Sequence, residues 1–72
     1  MKTLKQVQKE NKYGDVMSLS DFIESVNIGL FCPYDGYGYF HDGKKRTEIS
    51  VWDNSLTLND IINYPYVCWY NR

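Results

Sequence analysis

The stretch Tyr-Gly-Tyr-Phe-His-Asp-Gly-Lys-Lys-Arg-Thr-Glu-Ile-Ser-Val-Trp, residues 37–52, decides the fold. Its two ends are aromatic or β-branched, and Asp42, Gly43, Lys44 and Lys45 part them with turn chemistry, so it predicts a β-hairpin of strands 37–41 and 46–52. The parity of the turn then sets which face is buried. A loop of two or four residues puts Phe40 on one face with Thr47, Ile49 and Val51, whereas a three-residue loop would set Phe40 beside Arg46, Glu48 and Ser50. The even loop gathers the apolar side chains, and it leaves Tyr37, Tyr39, His41, Arg46, Glu48, Ser50 and Trp52 on the opposite face.

Upstream of the hairpin, Leu19, Phe22, Ile23 and Val26 recur at i, i+3, i+4 and i+7, which aligns them on one side of a helix over residues 19–28. Ser18 offers a capping oxygen, Asp21 suits the positive end of the helix dipole, and Met17 is placed to pack on Phe22 across the cap. Gly29 ends the helix. Pro33, Asp35-Gly36 and Gly38 mark residues 30–38 as a loop leading into the first strand.

Downstream, Asp53-Asn54 leads to a second, short helix with Thr57 as cap, Asp60 in its first turn and Leu58, Ile61 and Ile62 on one face. Pro65 stops it, because the residue before a proline is pushed out of helical geometry. Residues 66–70, Tyr-Val-Cys-Trp-Tyr, read as a strand that joins the hairpin. Residues 1–14 form a polar, basic arm, with Lys2, Lys5, Lys9 and Lys12 against Glu10 and only Leu4 and Val7 at helical spacing. It reads as a weak helix or a disordered tail. The expected fold is therefore one α+β domain over residues 15–72: a small three-stranded antiparallel sheet with one main and one short helix packed on a single face.

With 72 residues, the chain has room for one core and no second domain. Hydrophobic residues at 43% and aromatics at 17% are too abundant for a disordered chain and favour a core of large rings. A core this small yields roughly 3 to 5 kcal/mol of net stability, so self-association is a natural way to complete it. No apolar run approaches the ~20 residues of a membrane span, and residues 1–12 lack the apolar middle of a signal peptide, so the expected location is the cytoplasm. Cys32 and Cys68, without metal-site or redox spacing, read as free thiols rather than a bridge. The net charge of −1, with residues 15–43 acidic and Lys44, Lys45 and Arg46 clustered, marks neither a polyanionic mimic nor a strongly basic nucleic-acid binder.

Catalytic chemistry finds few residues to carry it. His41 is the only histidine, neither cysteine sits in a nucleophile context, and Gly36 and Gly38 precede a strand rather than a phosphate-binding helix. His41, Asp42 and Asp35 make a thin ligand set for a metal, and Asp42 before Gly43 is simply explained by the turn. The reading is of a chain that is not an enzyme and needs no cofactor. The aromatic hairpin face is the stronger candidate: Tyr37, Tyr39, His41, Lys44, Lys45, Arg46 and Trp52 are residue types that anchor protein partners, with plain cross-strand ring pairing as the competing explanation. The same face could also stack bases while its cations meet phosphates, which is a single-stranded nucleic-acid reading. Rings that bury one another across a homodimer would be a third.

Tyr34-Asp35-Gly36-Tyr37-Gly38-Tyr39-Phe40 and the closing Val67-Cys68-Trp69-Tyr70-Asn71-Arg72 resemble small uncharacterised proteins of bacterial phages and mobile elements. In that pattern a capped helix containing a Phe precedes Asp-Gly-Tyr-Gly-Tyr, and the similarity covers residues 18–72. The resemblance implies a setting and no activity. By analogy with such proteins, the expected role is an accessory factor that occupies a host protein, for instance an inhibitor of a defence system of the anti-CRISPR type.

Overall fold

The computed structural model describes residues 1–12, 14–32, 35–51 and 57–71. The turn signals at Pro33 and at Asp53-Asn54, together with Trp52 and Arg72, lie outside the described residues. The elements run α1 (Leu4–Glu10), β1 (Met17–Ser18), α2 (Leu19–Asn27), β2 (Gly36–His41), β3 (Arg46–Val51), α3 (Leu58–Ile61) and β4 (Tyr66–Asn71).

The hairpin forms with the expected parity. Asp42 to Lys45 make a four-residue connection, so His41 faces Arg46, Phe40 faces Thr47 and Tyr39 faces Glu48. At the turn the Asp42 carboxylate accepts the backbone N–H groups of Lys44 (2.8 Å) and Lys45 (3.0 Å). Gly43 there has φ +97°, the left-handed region in which a side chain is strained.

The sheet is α+β and antiparallel, as expected, but it has four strands in the order β1-β4-β2-β3 rather than three. Met17 and Ser18 pair with Val67 and Tyr66, and this two-residue strand is too short to show an alternating pattern. The same two residues also start α2. The Ser18 hydroxyl accepts the Asp21 N–H at 3.2 Å, and Met17 packs against the cluster that holds Phe22. Strand β4 lies beside β2, with Tyr39 opposite Cys68 and Phe40 opposite Val67.

Alternation along β2 and β4 builds two cores, one on each face of the sheet. On the first face Phe22 of α2 meets Phe40, Ile61, Val67 and Trp69, with Met17, Leu19, Val26, Phe31 and Tyr64 packed around them. Phe22 stands edge-on to Phe40 (5.9 Å, 86°) and to Trp69 (5.8 Å, 65°), the arrangement favoured by ring quadrupoles. Gly36 leaves room for the indole, since a Cβ there would stand 2.6 Å from Trp69 Nε1. That N–H is buried and has no acceptor among the described residues. Of the apolar residues expected on one face of the short helix, only Ile61 enters the core, and Leu58 and Ile62 are exposed.

The second face corrects the expectation that helices cover one side only. Val7 of α1 and Val16 are buried there with Tyr39 and Cys68, and Leu4, Tyr66 and Tyr70 close around them. Thr3 caps α1 in a reciprocal exchange with Gln6. Hydrogen bonds to the Lys2 backbone then tie the segment to the hairpin and the sheet: Lys2 N–H donates to Gly43 O (2.8 Å) and the Tyr66 side-chain OH donates to Lys2 O (2.8 Å). Lys2 Nζ also meets Glu10 at 2.6 Å, an exposed pair worth little in water. Cys32, exposed, and Cys68, buried, stay as thiols with no disulfide between them. Among the described residues, no helix is long and apolar enough to cross a membrane.

Candidate functional site

The hairpin face carries the sequence candidates, and the structure divides them. Tyr39 and His41 are only 6% and 5% exposed, because α1 lies over this part of the sheet. Tyr37, beyond the end of α1, is 50% exposed, and Lys44, Lys45 and Arg46 are exposed at the turn and the start of β3. His41 is occupied structurally: its Nδ1 accepts the Gly43 N–H at 2.9 Å, and its ring lies 6.2 Å from that of Tyr66. Among the described residues no three His, Cys, Asp or Glu side chains gather as a metal would need.

What remains open is a shallow cleft of about 160 Å³ lined by Asn11, Tyr37, Gly38, Tyr39, Arg46, Glu48 and Tyr70. Each wall follows from register. Tyr37 and Tyr70 are cross-strand partners, so their rings meet at 5.6 Å with 31° between planes. Tyr39 faces Glu48 across the hairpin, and the Arg46 guanidinium, two pairs along and on the same face, lies 4.9 Å from the centre of the Tyr39 ring. Arg46 also forms an ion pair with Glu48, both side chains being well exposed. The floor is tied to α1 by Tyr39 OH, which donates to Asn11 Oδ1 at 2.6 Å.

Asn11 joins the site although nothing in the sequence marks it as a binding residue, whereas Glu48 belongs to the face that turn parity assigns and Tyr70 is an aromatic of the closing stretch, a residue type that anchors partners. Alternation along residues 66–70 sets Tyr70 on the face of Tyr66 and Cys68, but only the pairing of β4 with β2 brings it to Tyr37. Asn11 follows α1 and reaches the cleft by a contact 28 residues away in the chain, for which no local pattern exists.

Tyr39, Cys68 and Tyr70 all hold their protons more tightly than usual. Burial pushes the Tyr39 phenol up, the nearby Cys68 adds to the shift, and Arg46 opposes it. Burial likewise pushes the Cys68 thiol up, against the pull of its hydrogen bond with Tyr70. Tyr70 is pushed up to about 12, first by the hydrogen bond with Cys68 and then by burial. A raised phenol favours the fold while neutral, so this contribution is complete below the ordinary tyrosine value and fades as pH climbs towards about 12. An alkaline titration followed by phenolate absorbance is expected to show one tyrosine ionising last, and Tyr70→Phe should remove that final step. Loss of an early step in its place would contradict the geometry. At the turn, the N–H groups of Lys45 and Lys44 hold the exposed Asp42 carboxyl below its usual range, which is turn chemistry and not ligand chemistry.

A cleft of about 160 Å³ is well under the ~300 Å³ at which pockets begin to enclose a small-molecule ligand, and its size is that of a single side chain. No family model, curated protein or solved structure matches the chain.

Proposed function

We propose that this chain is a non-enzymatic, protein-binding accessory factor that seats a side chain of its partner in the cleft between Tyr37, Tyr70 and Arg46. The observation that carries the reading is the cleft itself: rigid tyrosines and an arginine held on adjacent strands, of a size for one anchor residue. Such residues dominate binding energy because they bury large areas while losing little rotamer freedom. Lys44 and Lys45, exposed in the turn that precedes Arg46, would steer an acidic surface. The setting, a phage or mobile element whose product inhibits or modulates a cytoplasmic host protein in the manner of an anti-CRISPR, is proposed from the resemblance of residues 34–40 and 67–72. The nucleic-acid alternative loses support because stacking needs open ring faces, and two of its three rings, Tyr39 and His41, are buried.

The test is affinity capture of the tagged protein from lysate with nuclease present, followed by titration of the purified partner with wild type and with Tyr37→Ala/Arg46→Ala. Truncating two such anchors is expected to weaken binding by at least about 30-fold, the equivalent of roughly 2 kcal/mol, while the far-ultraviolet circular dichroism stays unchanged. A partner whose affinity is indifferent to both residues, or oligonucleotide binding that falls steeply with salt, would overturn the proposal.

A further inference from the structure

β3 lies at the outer end of the sheet, paired on its inner side with β2, and no strand pairs with its outer side among the described residues. At the opposite end β1 is only two residues long, so it offers little to an incoming strand. The direction of the free hydrogen-bonding groups on β3 follows from the turn. Asp42 N–H donates to Lys45 O, which makes His41 and Arg46 a pair without mutual bonds. Alternation along the antiparallel ladder then turns the N–H and C=O groups of Thr47, Ile49 and Val51 towards β2 and those of Arg46, Glu48 and Ser50 outwards. Edge strands are usually blunted by a bulge, a proline or charged side chains, and the charged residues of β3 are the opposite pair Arg46 and Glu48. The register of β3 runs through six successive pairs without a bulge, and the strand contains no proline.

We propose that β3 pairs antiparallel with β3 of a second copy about a two-fold axis at Thr47, merging the two sheets into one. A two-fold axis perpendicular to the sheet keeps like faces together only if the axis passes through a residue, so the choices near the strand centre are few. An axis at Glu48 sets two like charges directly opposite each other, and an axis at Ile49 leaves Arg46 with no strand residue across from it. The axis at Thr47 sets Arg46 against Glu48 of the second copy and Glu48 against its Arg46, a reciprocal pairing of opposite charges. Arg46 and Glu48 already attract each other within one chain while well exposed, so exchanging partners desolvates little. About four main-chain hydrogen bonds would form between the outward groups of residues 46 and 48 in the two copies. The antiparallel arrangement also keeps the Lys44-Lys45 turn of each copy away from that of the other. This inference does not rest on the cleft as a partner site; Arg46 and Glu48 line that cleft as well, so the cross-link at Thr47, which lies outside it, is what separates the two readings.

Sedimentation equilibrium of the whole chain across a range of concentrations is expected to reach twice the chain mass of 8.5 kDa. Thr47→Cys in a Cys32→Ser background should then form an intermolecular disulfide under mild oxidation, because residues at the axis face each other across a closely spaced pair. Ser20→Cys, exposed on α2, should not. Arg46→Glu is expected to weaken dimerisation at least tenfold by opposing two carboxylates, and Arg46→Glu/Glu48→Arg to restore it. A chain that stays at 8.5 kDa at every concentration overturns the proposal, as does a dimer in which Thr47→Cys fails to cross-link.

Discussion

Phe22→Ala is expected to leave the chain largely unfolded at room temperature. Phe22 is 1% exposed and touches the rings of Phe31 (6.0 Å), Phe40 (5.9 Å) and Trp69 (5.8 Å), so it is the hub through which α2 grips the sheet. Removing a buried phenylalanine costs about 3 to 5 kcal/mol in lost transfer energy and cavity formation. A core of this size supplies about the same amount in total. The two quantities cancel, which is why a change that a larger protein would survive is expected to abolish cooperative unfolding here. Phe22→Leu retains much of the volume and should keep the transition at a lower midpoint. Thermal unfolding followed by circular dichroism decides the matter. A cooperative transition in Phe22→Ala within a few degrees of wild type would mean that α2 is not held by this cluster.

The parts of the fold that the sequence announces are those whose signals are local. The period of Leu19, Phe22, Ile23 and Val26, with Ser18 as cap, defines α2 within a single stretch, and the observed helix ends at Asn27 just before Gly29 at φ +84°. Turn parity works for the same reason, because the alternation of side chains in two adjacent strands leaves only one register that buries Phe40 with apolar neighbours. The position of α1 has no such signature. Its sequence is mostly Lys, Gln and Glu, and its attachment depends on Lys2 with Gly43, Tyr66 with Lys2, and Asn11 with Tyr39, pairs separated by 28 residues or more. Burial of Tyr39 and His41 follows from that docking, so the residues of the hairpin face are legible in the sequence while their accessibility is not. In the same way Tyr37 and Arg46 are legible as binding residues, but the cleft between them needs Tyr70 from the far end of the chain.

Gly38→Ala is expected to be nearly as damaging as loss of Phe22, for a reason that lies in the backbone. Gly38 sits in the middle of β2, paired on one side with Trp69 of β4 and on the other with Ile49 of β3. A Cβ at this position would stand 1.9 Å from Cys68 O and 2.9 Å from both Cys68 C and Trp69 Cα. All three atoms are main chain, so no side-chain rotation can relieve the overlap. Either β2 and β4 move apart, stretching the hydrogen bonds that join the two sheet halves, or β2 bends and disturbs Phe40 and Tyr39 on its two faces. Overpacking a rigid site costs typically 1 to 3 kcal/mol, and an unyielding backbone places this case at about 3 kcal/mol. Gly29→Ala provides the contrast. Gly29 has φ +84°, but nothing lies within 4 Å of where an added methyl group would stand, so that substitution carries only the backbone strain of about 1 to 2 kcal/mol. Denaturant titrations of the two variants separate crowding from strain: Gly38→Ala should lose the greater stability, and amide exchange in β4 should rise with it. If Gly29→Ala proved the more damaging, the close approach of β2 and β4 at Cys68 would not be what holds the centre of this sheet to glycine.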